Sequence, residues 1–180
     1  WCVWDGQLIR LALPAAHDLW LDIKVLWTSP TASVFRVLDS VKDGIIVPNK
    51  DYQDDASLQQ FAELVWFANL VTTEWENIPV KTLKRLEKLG LVARPNTRAV
   101  GLIQDRLTEK ALASSSGWTP VPHKPVDTYE ELMTYVDSLQ PPCILKTRRE
   151  GYDGKGQWRI TEDMDLEVFW KKEFSKWSPP

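Results

Sequence analysis

The residue types best suited to chemistry lie together in Lys146-Thr147-Arg148-Arg149-Glu150-Gly151-Tyr152-Asp153-Gly154-Lys155-Gly156-Gln157. Glycines at 151, 154 and 156 lack the Cβ that would hold backbone N–H groups away from an anion. Lys146, at the end of a predicted strand, offers a point charge to phosphate oxygens, and Arg148 and Arg149 add planar, fork-like donors. A loop of this make-up between two strands suits a nucleotide triphosphate. It has neither the Gly-Lys-Ser/Thr ending and following helix of a Walker A loop nor the strand–turn–helix setting of a dinucleotide fingerprint. A solvated hairpin tip with basic neighbours is the competing reading, and residue types alone leave both open.

Two weaker signals sit nearer the amino terminus. Gly6-Gln7-Leu8 stands at a predicted strand-to-helix turn, where backbone donors favour anionic groups, although the Asp5 carboxylate opposes phosphate there. Glu74-Trp75-Glu76-Asn77 carries two carboxylates in i, i+2 relation, which point the same way on an extended segment and could hold an amino-bearing substrate. Solvated surface acids are the alternative. His17 and His123 are isolated, with no Ser or Cys partner at a motif spacing, so a catalytic triad has no support. Trp158, Trp170 and Trp177 read as core or partner surface, since no basic stripe interleaves with them. Cys2 and Cys143 lie in short apolar runs and read as buried thiols; a disulfide framework and a closely spaced Cys/His zinc site are excluded.

The chain that must position these groups has 180 residues, 43% hydrophobic and 26% charged, which is enough apolar material for a core. A net charge of −3 with mixed signs gives no footprint for nucleic acid. No stretch approaches the roughly 20 apolar residues needed to span a bilayer, and no secretory leader is visible, so the expected location is the cytoplasm. Ten tryptophans and an opening without Met, inside an apolar segment, read as a piece of a longer protein or an altered sequence.

The first half alternates short apolar runs with helical periods. Strands are expected at Cys2–Trp4, Ile23–Leu26 (ended by Ser29-Pro30), Gly44–Val47 and Leu70–Thr73. Helices are expected at Gln7–Leu19, kinked or shortened by Pro14, at Ser57–Trp66 with Ser57 and Gln60 as a capping box, and at Val80–Leu89, stopped by Gly90. This alternation predicts a parallel sheet with helices on both faces. From Arg94-Pro95-Asn96 the texture changes. A long helix is expected over Thr97–Ser115, then an extended connection through Pro120, Pro122 and Pro125. A helix over Thr128–Leu139, with Thr128 and Glu131 in capping-box relation, precedes a hairpin of Cys143–Thr147 and Trp158–Ile160. The expected domains are 1–93 and 94–180.

Taken in order, Gly6-Gln7-Leu8, Glu74-Trp75-Glu76-Asn77-Ile78-Pro79, Arg94-Pro95, Gln104-Asp105-Arg106-Leu107 with Glu109-Lys110, and Leu145-Lys146-Thr147-Arg148-Arg149 through Gly151–Gln157 resemble the 5-(carboxyamino)imidazole ribonucleotide synthases, ATP-grasp carboxylases of purine synthesis. The resemblance covers residues 1 to about 160, and Tyr152-Asp153 within the glycine loop is its most specific feature. It implies an α/β fold, with a Rossmann-like parallel sheet (the pre-ATP-grasp domain) followed by the first part of an ATP-grasp α+β domain. It also implies that ATP activates bicarbonate as carboxyphosphate, which carboxylates the exocyclic amine of 5-aminoimidazole ribonucleotide.

By the same resemblance, Arg106 and Lys146 would contact ATP, and Gly151, Tyr152, Asp153, Gly154, Lys155, Gly156 and Gln157 would form a lid over its phosphates. Tyr152, Asp153 and Lys155 would also face the ribonucleotide, whose far end Gln7, Leu8 and Glu74 would line. Mg2+ would be held by acidic residues beyond residue 180, and a homodimer is left open. The chain departs from the family at Trp4 and Asp5, where the family has glycines, and at Glu150, where a glycine is usual. The segment 161–180 reads as an amphipathic, Trp-rich tail. Two other readings stand beside this one: a different ATP-grasp ligase, such as one acting on glycinamide ribonucleotide, and a non-catalytic nucleotide-binding or interaction module. A Rossmann dehydrogenase is more distant, because no GxGxxG follows the first strand.

Overall fold

The computed structural model describes residues 2–3, 7–27, 44–47, 52–68, 70–151 and 154–174. Trp4, Asp5, Gly6, the Ser29-Pro30 turn, Tyr152, Asp153, Trp177 and the terminal Ser178-Pro179-Pro180 lie outside them. The chain divides into two compact units, Trp1–Gln104 and Asp105–Pro180.

In the first unit the elements run β1 (Cys2–Val3), α1 (Gln7–Asp18), β2 (Val25–Trp27), β3 (Gly44–Ile46), α2 (Asp55–Leu64), β4 (Leu70–Thr72), α3 (Val80–Lys88), β5 (Val92–Arg94) and α4 (Thr97–Ile103). The five strands form one parallel sheet in the order β3-β2-β1-β4-β5. Strand alternation assigns its two faces. Val25 and Trp27 pack with Leu13 of α1. Leu26, Val71 and Ala93 join Leu58, Phe61 and Ala62 of α2 and Leu83 and Leu86 of α3. Apolar side chains on both faces are why the sheet is parallel and covered on each side.

Local chemistry adjusts the expected boundaries. α2 starts earlier than Ser57: Asp54 is its cap, accepting from the Ser57 N–H at 2.8 Å, while Ser57 itself is buried in the first turn. α1 runs through Pro14, with Leu13 and Ala16 buried on that helix. α3 ends before Gly90, whose φ of +95° is the left-handed conformation that glycine adopts without penalty. β5 was not expected from the sequence, and it pairs with β4 over its whole length.

The expected single helix over Thr97–Ser115 is two helices, α4 and α5 (Arg106–Ser115). Asp105 interrupts it with extended backbone (φ −118°, ψ 113°) and caps α5 through the N–H groups of Leu107 and Thr108. The two compact units meet at 104/105, with α4 packed on α3 within the first.

The second unit continues with α6 (Tyr129–Leu139), β6 (Cys143–Lys146), β7 (Gln157–Ile160) and α7 (Leu166–Phe174). α6 carries the expected capping box between Thr128 and Glu131. β6 and β7 form the expected antiparallel hairpin. Its inner residues Cys143, Leu145, Trp158 and Ile160 pack with Leu132 and Val136 of α6 and Phe169 and Trp170 of α7. Trp158 and Trp170 thus belong to a core, and the segment expected as a tail contributes a helix to it. Cys143 is only partly buried, and that burial pushes its thiol pKa up. No helix among the described residues is long and apolar enough to cross a membrane.

Candidate functional site

In the first unit the sheet order reverses between β1 and β4, which pair with Cys2 opposite Thr72. All strands being parallel, the segments that follow them leave at the same edge. Gln7 and Leu8 open α1 just after β1, and Glu74 lies just after β4. The fold therefore brings these three to the carboxyl ends of neighbouring strands at the switch point, where open α/β sheets present their ligand crevice. Gln7 and Leu8 are exposed and Glu74 is half-buried. The turn after Glu74 is held from below: the Gln104 side-chain amide donates to the carbonyls of Glu76 (2.8 Å) and Ile78 (2.6 Å), and Trp75 packs on the core.

In the second unit the hairpin register pairs Lys146 with Gln157 and Ile144 with Arg159. Alternation turns these four to the open face while their neighbours enter the core, so Lys146 is exposed at the mouth of the 147–156 connection. The base of that connection is tightly built. The Thr147 N–H donates to the Gly156 carbonyl at 2.8 Å. A Cβ on Gly156 would sit 2.6 Å from Thr147 Oγ1, and one on Gly151 would sit 2.9 Å from the Lys155 carbonyl. Gly156 also has φ of +64°. These glycines let the two limbs of the loop close over Thr147, a role distinct from admitting an anion. Glu150 takes φ of +65°.

Arg106 is brought to this base. Its Nε donates to the Thr147 carbonyl at 3.0 Å, its Nη2 to the Gly151 carbonyl at 3.1 Å, and its backbone N–H to the Arg148 carbonyl at 3.1 Å. Two of the five side-chain donors are thereby engaged among the described residues. The neighbouring Asp105 was given no role by the sequence. Its side chain, 3% exposed, receives Arg148 Nε at 2.7 Å and Arg149 Nη2 at 3.1 Å. The Arg148 hydrogen bond, helped by the Thr108 and Leu107 N–H groups and opposed by burial, holds the carboxyl down at about 2. Arg148 and Arg149, expected as phosphate forks, are thus tied to a carboxylate. A single helix over Thr97–Ser115 would put Asp105 in mid-helix, where an acid is ordinary surface, so the local pattern does not mark its role.

His17 and His123 are exposed, the latter with Nδ1 3.0 Å from the Val121 carbonyl. An open groove of about 500 Å3 between α3 and α4, lined in part by Lys84, Glu87, Asn96 and Arg98, shares no residue with the switch point or the loop. Among the described residues no three carboxylate, histidine or cysteine side chains gather to hold a metal.

The ribonucleotide synthetase preATP-grasp domain family matches residues 3–104, and the ATP-grasp domain family matches residues 112–178. N5-carboxyaminoimidazole ribonucleotide synthase of Staphylococcus saprophyticus is 35% identical over 90% of this chain and 40% of its own length. The bifunctional purine synthesis protein of Dictyostelium discoideum is 30% identical over 95% of this chain and 16% of its own. Among solved structures, N5-carboxyaminoimidazole synthetase from Staphylococcus aureus, complexed with ADP, superposes with a TM-score of 0.79 at 31% identity, over 94% of this chain and 43% of that one. The chain thus spans less than half the length of these relatives. The first match spans the parallel sheet and the second spans the hairpin, and the chain belongs to the ribonucleotide synthetase family of ATP-grasp proteins, as a relative of the N5-carboxyaminoimidazole ribonucleotide synthases.

Proposed function

We propose that the protein carrying this chain uses ATP and bicarbonate to carboxylate the exocyclic amine of 5-aminoimidazole ribonucleotide, through carboxyphosphate, in purine synthesis. The observation that carries the reading is the glycine loop of the β6–β7 hairpin, with Lys146 exposed at its mouth and Arg106 hydrogen-bonded at its base. The ADP held by the Staphylococcus aureus relative supports the nucleotide part.

Bicarbonate attacks the γ-phosphorus, ADP leaves, and the amine then takes the carboxyl carbon as phosphate departs. Both steps crowd negative charge between bicarbonate and the phosphates. Fixed cations at Lys146 and Arg106 offset that charge without reorganising. Gly151–Gln157, with Tyr152, Asp153 and Lys155 facing the ribonucleotide, covers the phosphates and keeps water from carboxyphosphate. Gln7, Leu8 and Glu74, at the switch point of the sheet, take the ribonucleotide end. Magnesium, when bound with ATP, would screen its phosphates. The same reading puts the reaction in the cytoplasm and makes a homodimer the assembly to look for.

In the protein carrying this chain, ATP hydrolysis should depend on 5-aminoimidazole ribonucleotide, and Lys146→Ala should abolish it. Unchanged turnover in that variant would refute the role of Lys146, and hydrolysis driven instead by glycinamide ribonucleotide would replace the substrate.

A further inference from the structure

We propose that Asp105 is a positioning residue that anchors the fixed limb of the glycine loop to the start of α5 and so sets how tightly that loop can exclude water. One carboxylate meets two demands at once. Oδ1 accepts from the N–H groups of Leu107 (3.0 Å) and Thr108 (3.2 Å), capping α5. Oδ2 accepts from Arg148 Nε (2.7 Å) and Arg149 Nη2 (3.1 Å), on the limb that leaves β6. The next residue, Arg106, adds bonds to the carbonyls of Thr147, Arg148 and Gly151.

Two consecutive residues therefore hold every carbonyl of 147, 148 and 151 that bounds this limb, and both guanidinium groups on it. The carboxylate is buried while its arginine partners are 55% and 59% exposed. Removing the charge leaves the arginines able to turn to solvent, so the limb loosens without a hole opening in a core. Asn is as good a helix cap as Asp, so Asp105→Asn keeps the cap of α5 and cuts the tether alone.

The catalytic part of this inference rests on the carboxylase reading, and the experiment separates the two. Amide hydrogen exchange and product stoichiometry are measured on the protein carrying this chain, for Asp105→Asn and for the double variant Arg148→Gln/Arg149→Gln, which severs the same tether from its exposed end. Exchange at the Arg106 and Thr147 amides should rise about tenfold in both variants, the loss of a charge-assisted bond. Phosphate released per carboxylated product should rise several-fold, because water then reaches carboxyphosphate. Unchanged exchange in both variants overturns the tether. Raised exchange with an unchanged phosphate-to-product ratio overturns the positioning role and leaves a structural staple. Should the unaltered protein show no turnover with aminoimidazole ribonucleotide, the carboxylase reading fails, and the exchange result alone decides the tether.

Discussion

Replacing Gly156 by Ala tests how the loop is built. The residue has φ of +64°, a conformation that costs an L side chain roughly 1–2 kcal/mol. Its new Cβ would lie 2.6 Å from Thr147 Oγ1 and 3.0 Å from Thr147 Cγ2, an overlap of the kind that costs about 1–3 kcal/mol when neighbours cannot move. Thr147 can give only by turning its side chain or by lengthening its N–H bond to the Gly156 carbonyl. Together these put Gly156→Ala at about 2–5 kcal/mol against the closed base, roughly a thirty- to several-thousand-fold rise in its opening.

Thr147→Ala separates the two terms. Among the described residues the buried Thr147 Oγ1 has no hydrogen-bond partner, so deleting it should cost little, and it removes both close contacts while leaving φ untouched. In that background Gly156→Ala should cost about 1–2 kcal/mol less. The assay is hydrogen exchange at the residue-147 amide in the four members of the cycle, with urea unfolding beside it. Equal cost in the two backgrounds would mean that Thr147 does not fill the space the glycine leaves, and the account of the loop base would be wrong.

Two further outcomes follow from the same region. Glu150 is exposed and held at φ of +65°, so Glu150→Gly should raise stability by about 0.5–1 kcal/mol, strain relief outweighing the added freedom of the unfolded chain; a lower melting temperature would show that the carboxylate matters more than the backbone. The Asp105 pKa lies below its ordinary value of 3.8, at about 2, so its contribution is fully present above pH 4 and is lost as pH falls from 4 through 2. That contribution is about 1–2 kcal/mol once the exposure of its arginine partners is discounted. Urea midpoints of the unaltered chain and Asp105→Asn should differ at pH 6 and draw together only as pH falls through about 2, whereas a constant gap would remove the charge from the explanation.

The architecture was legible where local patterns are strong. Alternating apolar runs and helical periods in the first half carry the parallel sheet, because a strand buried on both faces must be apolar throughout and a covering helix must repeat every 3.6 residues. Thr128 with Glu131 marked the start of α6, since both halves of a capping box are written within four residues. The edge strand β5 was not legible. Val92–Arg94 carries too little apolar pattern to declare a strand, and only its pairing with β4 makes it one.

For the site, residue types and spacing by themselves determined that a glycine-rich, basic loop joins two strands, with Lys146 at its mouth; glycine and lysine state their physical capacity without knowing their neighbours. Tertiary structure alone decided which charges remain available. It turned Arg148 and Arg149 toward a buried carboxylate, made Arg106 a brace as well as a cation, and split one helix into two so that Asp105 could do both. Those partners are some forty residues away in sequence, a distance over which no local pattern reports and only the closed chain sets a distance.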